Sequence, residues 1–316
     1  MTSKLGGLHH VTAITGDARG NLDFYTRLLG MRLVKKTVNQ DDVSAYHLFY
    51  ADALGSPGTD VTFFDWPHAA PNRPGAGTIA PIALRVRDEQ ALEWWRERFQ
   101  SAGVSHGEID GSRGRPRLEF EDPEGQRFAL VVDGGLAGGH PWDASPVPQE
   151  AQVRGLHGVT ITEASADPTR LFLEDQLGFR QVGEQGVDDG SELVFESGPG
   201  GPGTEVRVHL PRAPQWGRPG RGGVHHVAFR VPDDAAHREW HNRLQSSGVA
   251  VTPIIDRFYF RSIYFREPGG VLFEIATDGP GFAADEPESE LGRSLALPPF
   301  LEPERERIEA GLVPLS

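Results

Sequence analysis

Apolar positions along the chain follow two spacings. In NLDFYTRLLG, Leu22, Tyr25, Leu28 and Leu29 recur at helical intervals. In ALEWWRERFQSAGV, Leu92, Trp95 and Phe99 do the same, and Gly103 sits where a C-terminal cap belongs. A short apolar strand precedes each such helix, and three further strands broken by Gly or Pro turns follow it, which predicts a βαβββ unit.

The unit recurs. GLHHVT at 7–12 returns as GLHGVT at 155–160, and LLGMR at 28–32 returns as QLGFR at 176–180, both 148 residues later; SPGTDV at 56–61 returns as GPGTEV at 201–206, 145 residues later. A second type runs from IALRVRD (82–88) through FQSAGV (99–104) to EDPEGQRFAL (121–130). It returns 145 residues later as VAFRVPD (227–233), LQSSGV (244–249) and REPGGVLFEI (266–275). The chain is thus four modules, in the order first, second, first, second type. A curved sheet of this kind leaves one concave face, so two modules side by side make a cup. The expected fold is α+β: four βαβββ modules forming two open, cup-like barrels. The expected divisions are residues 1–133 for the N-terminal pair of modules, 134–150 for a Pro- and Gly-rich linker, 151–276 for the C-terminal pair, and 277–316 for an acidic tail with a short helix in PERERIEAGL. The tail has no repeat partner, and its role is not legible from its residues.

Composition narrows the chemistry. With 316 residues the chain can bury a sizeable core, and 38% hydrophobic with 24% charged residues fits a soluble globular protein. No apolar run approaches the roughly 18 residues of a membrane span. MTSKLGGLHHVT carries no basic flank followed by an apolar stretch, so no secretory signal is read and a cytoplasmic location is expected. Zero cysteines exclude disulfides, thiolate nucleophiles and Cys-built zinc sites, leaving His, Asp and Glu as metal ligands. A net charge of −14 makes nucleic acid and anionic membranes poor partners, so a small molecule is the expected one. The oligomeric state is left open, a homo-oligomer included.

The repeats serve as an internal control. Aligning the second and fourth modules sets Ala80 and Pro81 against His225 and His226, and Ala129 against Glu274; in the first and third, His10 faces Gly158 while His9 is kept as His157. A lone strand histidine is ordinarily a satisfied core residue, but a joint loss of His and Glu from the copies argues for a shared role. Neighbours on a strand point to opposite faces, so only one histidine of each pair can reach a common metal. The second of each pair is the one lost. His10, His226 and Glu274 therefore form the expected metal set, two histidines and a carboxylate, which suits non-haem Fe(II), less often Mn(II), and could also take zinc. For the three to meet, the first module must lie beside the fourth. Of the other histidines, His47 in YHLFY is the one to watch.

GLHHVTAITGDARGNLDFYTRLLGMRLVKKTVNQDD, YHLFYADALGSPGTDVTFFDWP, GGVHHVAFRVPD and REPGGVLFE resemble the ring-cleaving, extradiol-type dioxygenases of the vicinal oxygen chelate superfamily, nearest to the hydroquinone dioxygenase group. The resemblance covers about residues 5–276. It implies Fe(II) on His10, His226 and Glu274, with a hydroquinone or catechol and O2 as reactants. It also implies polar pocket residues at His9, Thr12, His225, Arg257 and Tyr264. In that reading His225 or Tyr264 moves protons, and Arg257 holds negative charge on the second substrate oxygen. Two rivals stand beside it. A glyoxalase-type metal isomerase needs a further carboxylate, yet VTFFDWP offers Phe63 and Phe64 there, and Asp65 only after a shift of register. A metal-free binding protein of the same fold predicts no joint loss of ligands.

Overall fold

The repeated apolar spacing produces four copies of one motif. In the computed structural model, which describes residues 3–315, the first module is β1 (Leu8–Thr15), α1 (Ala18–Asp23), β2 (Arg32–Asn39), β3 (Asp42–Ala51) and β4 (Asp60–Asp65). The second is β5 (Thr78–Val86), α2 (Glu89–Ala102), β6 (His106–Asp110), β7 (Arg117–Glu121) and β8 (Arg127–Val132). The third is β9 (Leu156–Thr162), α3 (Ala166–Leu171), β10 (Arg180–Val187), β11 (Gly190–Glu196) and β12 (Glu205–Pro211). The fourth is β13 (Gly223–Val231), α4 (Asp234–Ser246), β14 (Ile255–Asp256), β15 (Arg261–Arg266) and β16 (Leu272–Thr277). Residues 134–150 form neither helix nor strand.

Local chemistry sets the helix ends. Asp88 and Asp233 cap α2 and α4 by accepting from the backbone N–H of Ala91 and Ala236, and Gly103, at φ 68°, closes α2 in the left-handed region. The helices of the first and third modules differ from the plain helices that the spacing predicts. Each widens after its first turns into a π segment, Phe24–Leu28 and Phe172–Gln176, with the N–H of Leu29 reaching back five residues to Phe24 O at 2.9 Å. Tyr25 lies within this segment, fully buried, and its hydroxyl donates to Asp122 at 3.0 Å.

The sixteen strands of the described residues form two eight-stranded sheets, ordered β14-β15-β16-β13-β1-β4-β3-β2 and β10-β11-β12-β9-β5-β8-β7-β6. The first sheet joins the fourth module to the first, as the metal set requires, and the second joins the third to the second. The seams are antiparallel: β1 on β13, with Thr12 opposite His226, and β5 on β9, with Ala83 opposite Gly158. Helix faces pack beneath the sheets through residues at matching repeat positions, Trp95 and Phe99 in α2, Trp240 and Leu244 in α4, all at most 1% exposed. Burying each such side chain contributes about 1.5–3 kcal/mol.

The matched PGT turns tie the first module to the third. Leu8 N donates to Gly203 O at 2.7 Å and Leu156 N donates to Gly58 O at 2.9 Å. Gly7 and Gly155, just before these donors, both sit at φ 112°, and a Cβ at residue 7 would stand 2.6 Å from Gly203 O. The tail covers β2, the free edge of the first sheet. Ala296 N donates to Lys36 O at 2.9 Å, the buried Lys35 ammonium meets Asp285 at 2.7 Å and also Glu286, and Ile308 and Leu312 are buried. An edge strand left bare would offer its backbone to other chains. Among the described residues no helix is long and apolar enough to cross a membrane.

Candidate metal centre

β16, β13 and β1 are consecutive in the first sheet, and each turns one side chain into its concave face toward a common point. His10 Nε2 lies 3.3 Å from His226 Nε2 and 3.2 Å from Glu274 Oε2, and His226 Nε2 lies 2.9 Å from that same oxygen. All three residues are buried, and they form the one such group of three metal-type side chains among the described residues.

The hydrogen bonds behind the triad decide which atoms face inward. His9 Nε2 is 3.1 Å from Thr277 O, and a carbonyl can only accept, so His9 carries its hydrogen there. In the neutral ring His9 Nδ1 is then bare and accepts from His10 Nδ1 at 2.9 Å, which in a neutral His10 leaves Nε2 with a lone pair. The same relation recurs on β13, where His225 Nδ1 and His226 Nδ1 are 2.8 Å apart. On the third residue of the group, Ser262 donates to Glu274 Oε1 at 2.5 Å, while Oε2 faces the Nε2 atoms of His10 and His226. Burial alone would raise the Glu274 carboxyl, but His10 and His226 outweigh it and hold it well below the usual carboxylate range. Two imidazole nitrogens and a carboxylate oxygen converging within 3.3 Å in a dry interior require positive charge among them, a shared proton or a metal cation. Their spacing fits neighbouring ligands of an ion with bonds of about 2.1 Å. The residues present fit a divalent metal.

A cavity opens onto the triad. Arg257 and Tyr264 line it together with His10, His226, His47, Phe49, Phe64 and Phe260. His9, Thr12 and His225, also expected in the pocket, are not among its lining residues. His9 is spent between His10 and Thr277, Thr12 accepts from Thr62 at 2.8 Å, and His225 backs His226 with its ring near Phe64 and Trp66. Burial, and next the neighbouring ligand histidine, lower both His9 and His225 to about 3. A wider groove beside Arg87, Gln149 and Arg154 is open to solvent and remote from the triad.

Arg257 guards the mouth. Its guanidinium takes the two oxygens of Asp41 at 2.8 and 3.2 Å, and its own carbonyl accepts from Gln40 at 2.9 Å. Burial opposes the charge on Arg257, but Asp41 and Tyr264 outweigh it and hold the group above its ordinary value. Burial, and then Glu274, push the Tyr264 hydroxyl above its ordinary range. Phe258, between Arg257 and Tyr259, sits at φ 70°, a strained backbone for a bulky residue.

Ser262, Asp41, Phe260 and Thr62 were not singled out from the sequence. Ser262 had a usable signal: it precedes Tyr264 by two residues, hence shares its strand face, and its repeat counterpart is Arg117. On β4 the cavity face carries Phe64, while Asp65 is not among the lining residues, so the isomerase's additional carboxylate is missing from that strand position.

The second sheet explains its own silence. At residue 158 a Cβ would lie 2.8 Å from Glu205 O, leaving no room for an imidazole. Ion pairs fill its concave face instead: Arg207 with Glu205 at 2.7 Å and with Glu192 at 3.3 Å, and Arg113 with Glu192 at 3.2 Å.

A family model described as the glyoxalase/bleomycin resistance protein/dioxygenase superfamily matches residues 7–130 and 155–275. A Bacillus subtilis (strain 168) protein named as a ring-cleaving dioxygenase, MhqA, is 46% identical over 99% of this chain and 99% of its own. The chlorohydroquinone/hydroquinone 1,2-dioxygenase of Sphingobium indicum is 33% identical over 96% of this chain and 94% of its own. A crystal structure of a Bacillus subtilis protein described as a dioxygenase superposes with a TM-score of 0.92 at 38% identity, covering 100% of this chain and 99% of that one.

Proposed function

The chain belongs to the glyoxalase/bleomycin resistance protein/dioxygenase superfamily, and from that footing we propose that it opens the ring of a hydroquinone- or catechol-type diol with molecular oxygen, using Fe(II) held by His10, His226 and Glu274. The observation that carries the reading is the convergence of His10 Nε2, His226 Nε2 and Glu274 Oε2 within 3.3 Å at a cavity lined by Arg257 and Tyr264. A facial set of two histidines and one carboxylate leaves positions open for both reactants. When bound, iron supplies the electron transfer that ground-state oxygen requires and favours the ionised form of a phenol.

The protein's own groups do the remaining work. Phe49, Phe64 and Phe260 offer apolar walls to a flat ring and exclude water. Arg257, a cation at the mouth, stabilises negative charge on the substrate oxygen that lies away from the triad. The Tyr264 hydroxyl donates a hydrogen bond to a substrate oxygen. His225 stands behind His226 and outside the cavity lining, so its part in proton movement passes through that neighbour, to which its Nδ1 is committed. Manganese is the less favoured ion in the same set.

Anaerobic reconstitution with Fe(II), then oxygen uptake against a panel of hydroquinones and catechols, tests the reading. One O2 consumed per ring-opened diol is expected. If no diphenol provokes oxygen consumption, and His10→Ala binds metal as well as the parent chain, the reading fails.

A further inference from the structure

One cavity-lining imidazole has no part in the chemistry above. His47 stands on β3 with its ring against Phe49 and Phe64, centroids 4.0 and 4.5 Å away, which limits its rotamers. Its Nε2 is 2.9 Å from the Thr62 hydroxyl, and that hydroxyl donates to Thr12 Oγ1 at 2.8 Å. A hydroxyl that has given its one hydrogen away can only accept, so His47 Nε2 carries the ring hydrogen and donates it to Thr62. In the neutral ring Nδ1 is then a bare acceptor. Burial, followed by His10 and His226, favours that neutral ring. Among the described residues no protein group meets Nδ1, and the ring borders the cavity.

The repeat supplies an independent argument. Thr62 faces Thr12 across β4 and β1 as Arg207 faces Thr160 across β12 and β9, and His47 faces Phe64 as Glu192 faces His209. The silent cup has therefore exchanged His47 and Thr62 for Glu192 and Arg207, an ion pair at 3.3 Å. The imidazole and hydroxyl occur only in the cup that also holds the triad.

We propose that His47 Nδ1 accepts a hydrogen bond from the substrate hydroxyl remote from the triad, and that this contact favours a 1,4-diol over a 1,2-diol. β3 is two strands from β1, about 10 Å across the sheet. An oxygen at the triad and one at His47 therefore lie on opposite sides of a ring seated in the cup, not on adjacent carbons. The inference rests on the ring-cleaving reading.

Binding titrations of the Fe(II)-loaded full chain, without oxygen so that nothing turns over, test it with hydroquinone, 4-methoxyphenol and catechol. 4-Methoxyphenol keeps one phenol and lacks the second donor. The parent chain is expected to bind hydroquinone about tenfold more tightly than 4-methoxyphenol, the size of one hydrogen bond. In His47→Phe hydroquinone should weaken to the 4-methoxyphenol level while catechol is unmoved. His47→Asn, with an acceptor near the place of Nδ1, should recover most of the preference, and iron content should match the parent throughout. An unchanged hydroquinone preference in His47→Phe, or an equal loss for all three phenols, overturns the role of His47 alone. Failure of the iron-loaded parent chain to bind any of them overturns the ring-cleaving reading, and this inference with it.

Discussion

His9 Nδ1 and His10 Nδ1 stand 2.9 Å apart, and the contact between these sequence neighbours determines which nitrogen of His10 faces the interior of the cup. The anchor is the Thr277 carbonyl, which can accept from His9 but cannot donate. Orientation thus passes from a backbone oxygen, through one imidazole, to the ligand.

This relay predicts that His9→Ala weakens metal binding by about 10–100-fold without abolishing it, the usual effect of losing a group that orients a ligand. His10→Ala should abolish stoichiometric binding. Competition titration with a chelating dye measures both. His157→Ala, at the equivalent place in the silent cup, should leave affinity unchanged; an effect there equal to that of His9→Ala would refute the relay. Ser262→Ala, which frees Glu274 Oε1, should lower affinity by about tenfold through the same kind of loss.

Arg257 is divided between the cavity and Asp41. Asp41 is largely exposed, so its pairing adds little stability, within about 1 kcal/mol. Asp41→Asn should leave the melting temperature almost unchanged while releasing the guanidinium toward substrate. KM for the diol should fall by about threefold with kcat little changed. Arg257→Lys, which loses the planar fork, should raise KM. Steady-state oxygen uptake checks both, and a raised KM in Asp41→Asn would mean that Asp41 itself holds the productive geometry.

Glu163, at the end of β9, predicts a pH dependence remote from the metal. Burial and the neighbouring Glu267 push its carboxyl from 4.5 up to about 8. The folded chain then keeps a proton that the unfolded chain releases above about pH 4.5. Stability therefore falls as pH rises from about 4.5 to about 8, and this group contributes no slope below that window. Glu163→Gln removes the cost of ionising there. Its melting temperature should match the parent near pH 4.5 and exceed it at pH 8 by about 3 °C or more, the shift that about 1 kcal/mol produces in a chain of this size. Asp122, raised to about 6, acts with the same sign in both proteins and cancels. Equal melting at pH 8 would rule the effect out.

Much of this site was readable because the chain carries its own controls. Strand alternation allowed only one histidine of each pair, and the joint absence of His10, His226 and Glu274 counterparts from the copies picked out three residues up to 264 positions apart. The π segments were not readable, because five-residue and four-residue turns leave nearly the same apolar spacing over one turn. Nor were Asp41 and Arg257 as a pair: one lies at a hairpin tip and the other in a strained loop, and neither loop follows a period.

The sequence by itself determined the four modules, their order and which three residues to expect together, because alternation and helical spacing are local properties repeated often enough to compare. Only the tertiary structure decided which atom of each ligand points inward and what stands behind it. Those follow from contacts such as His9 with Thr277 and Ser262 with Glu274, where hydrogen-bond direction is set by groups brought together across strands. It also decided that the tail closes the free edge of the working sheet, since an unpaired backbone edge exists only once the strands have paired.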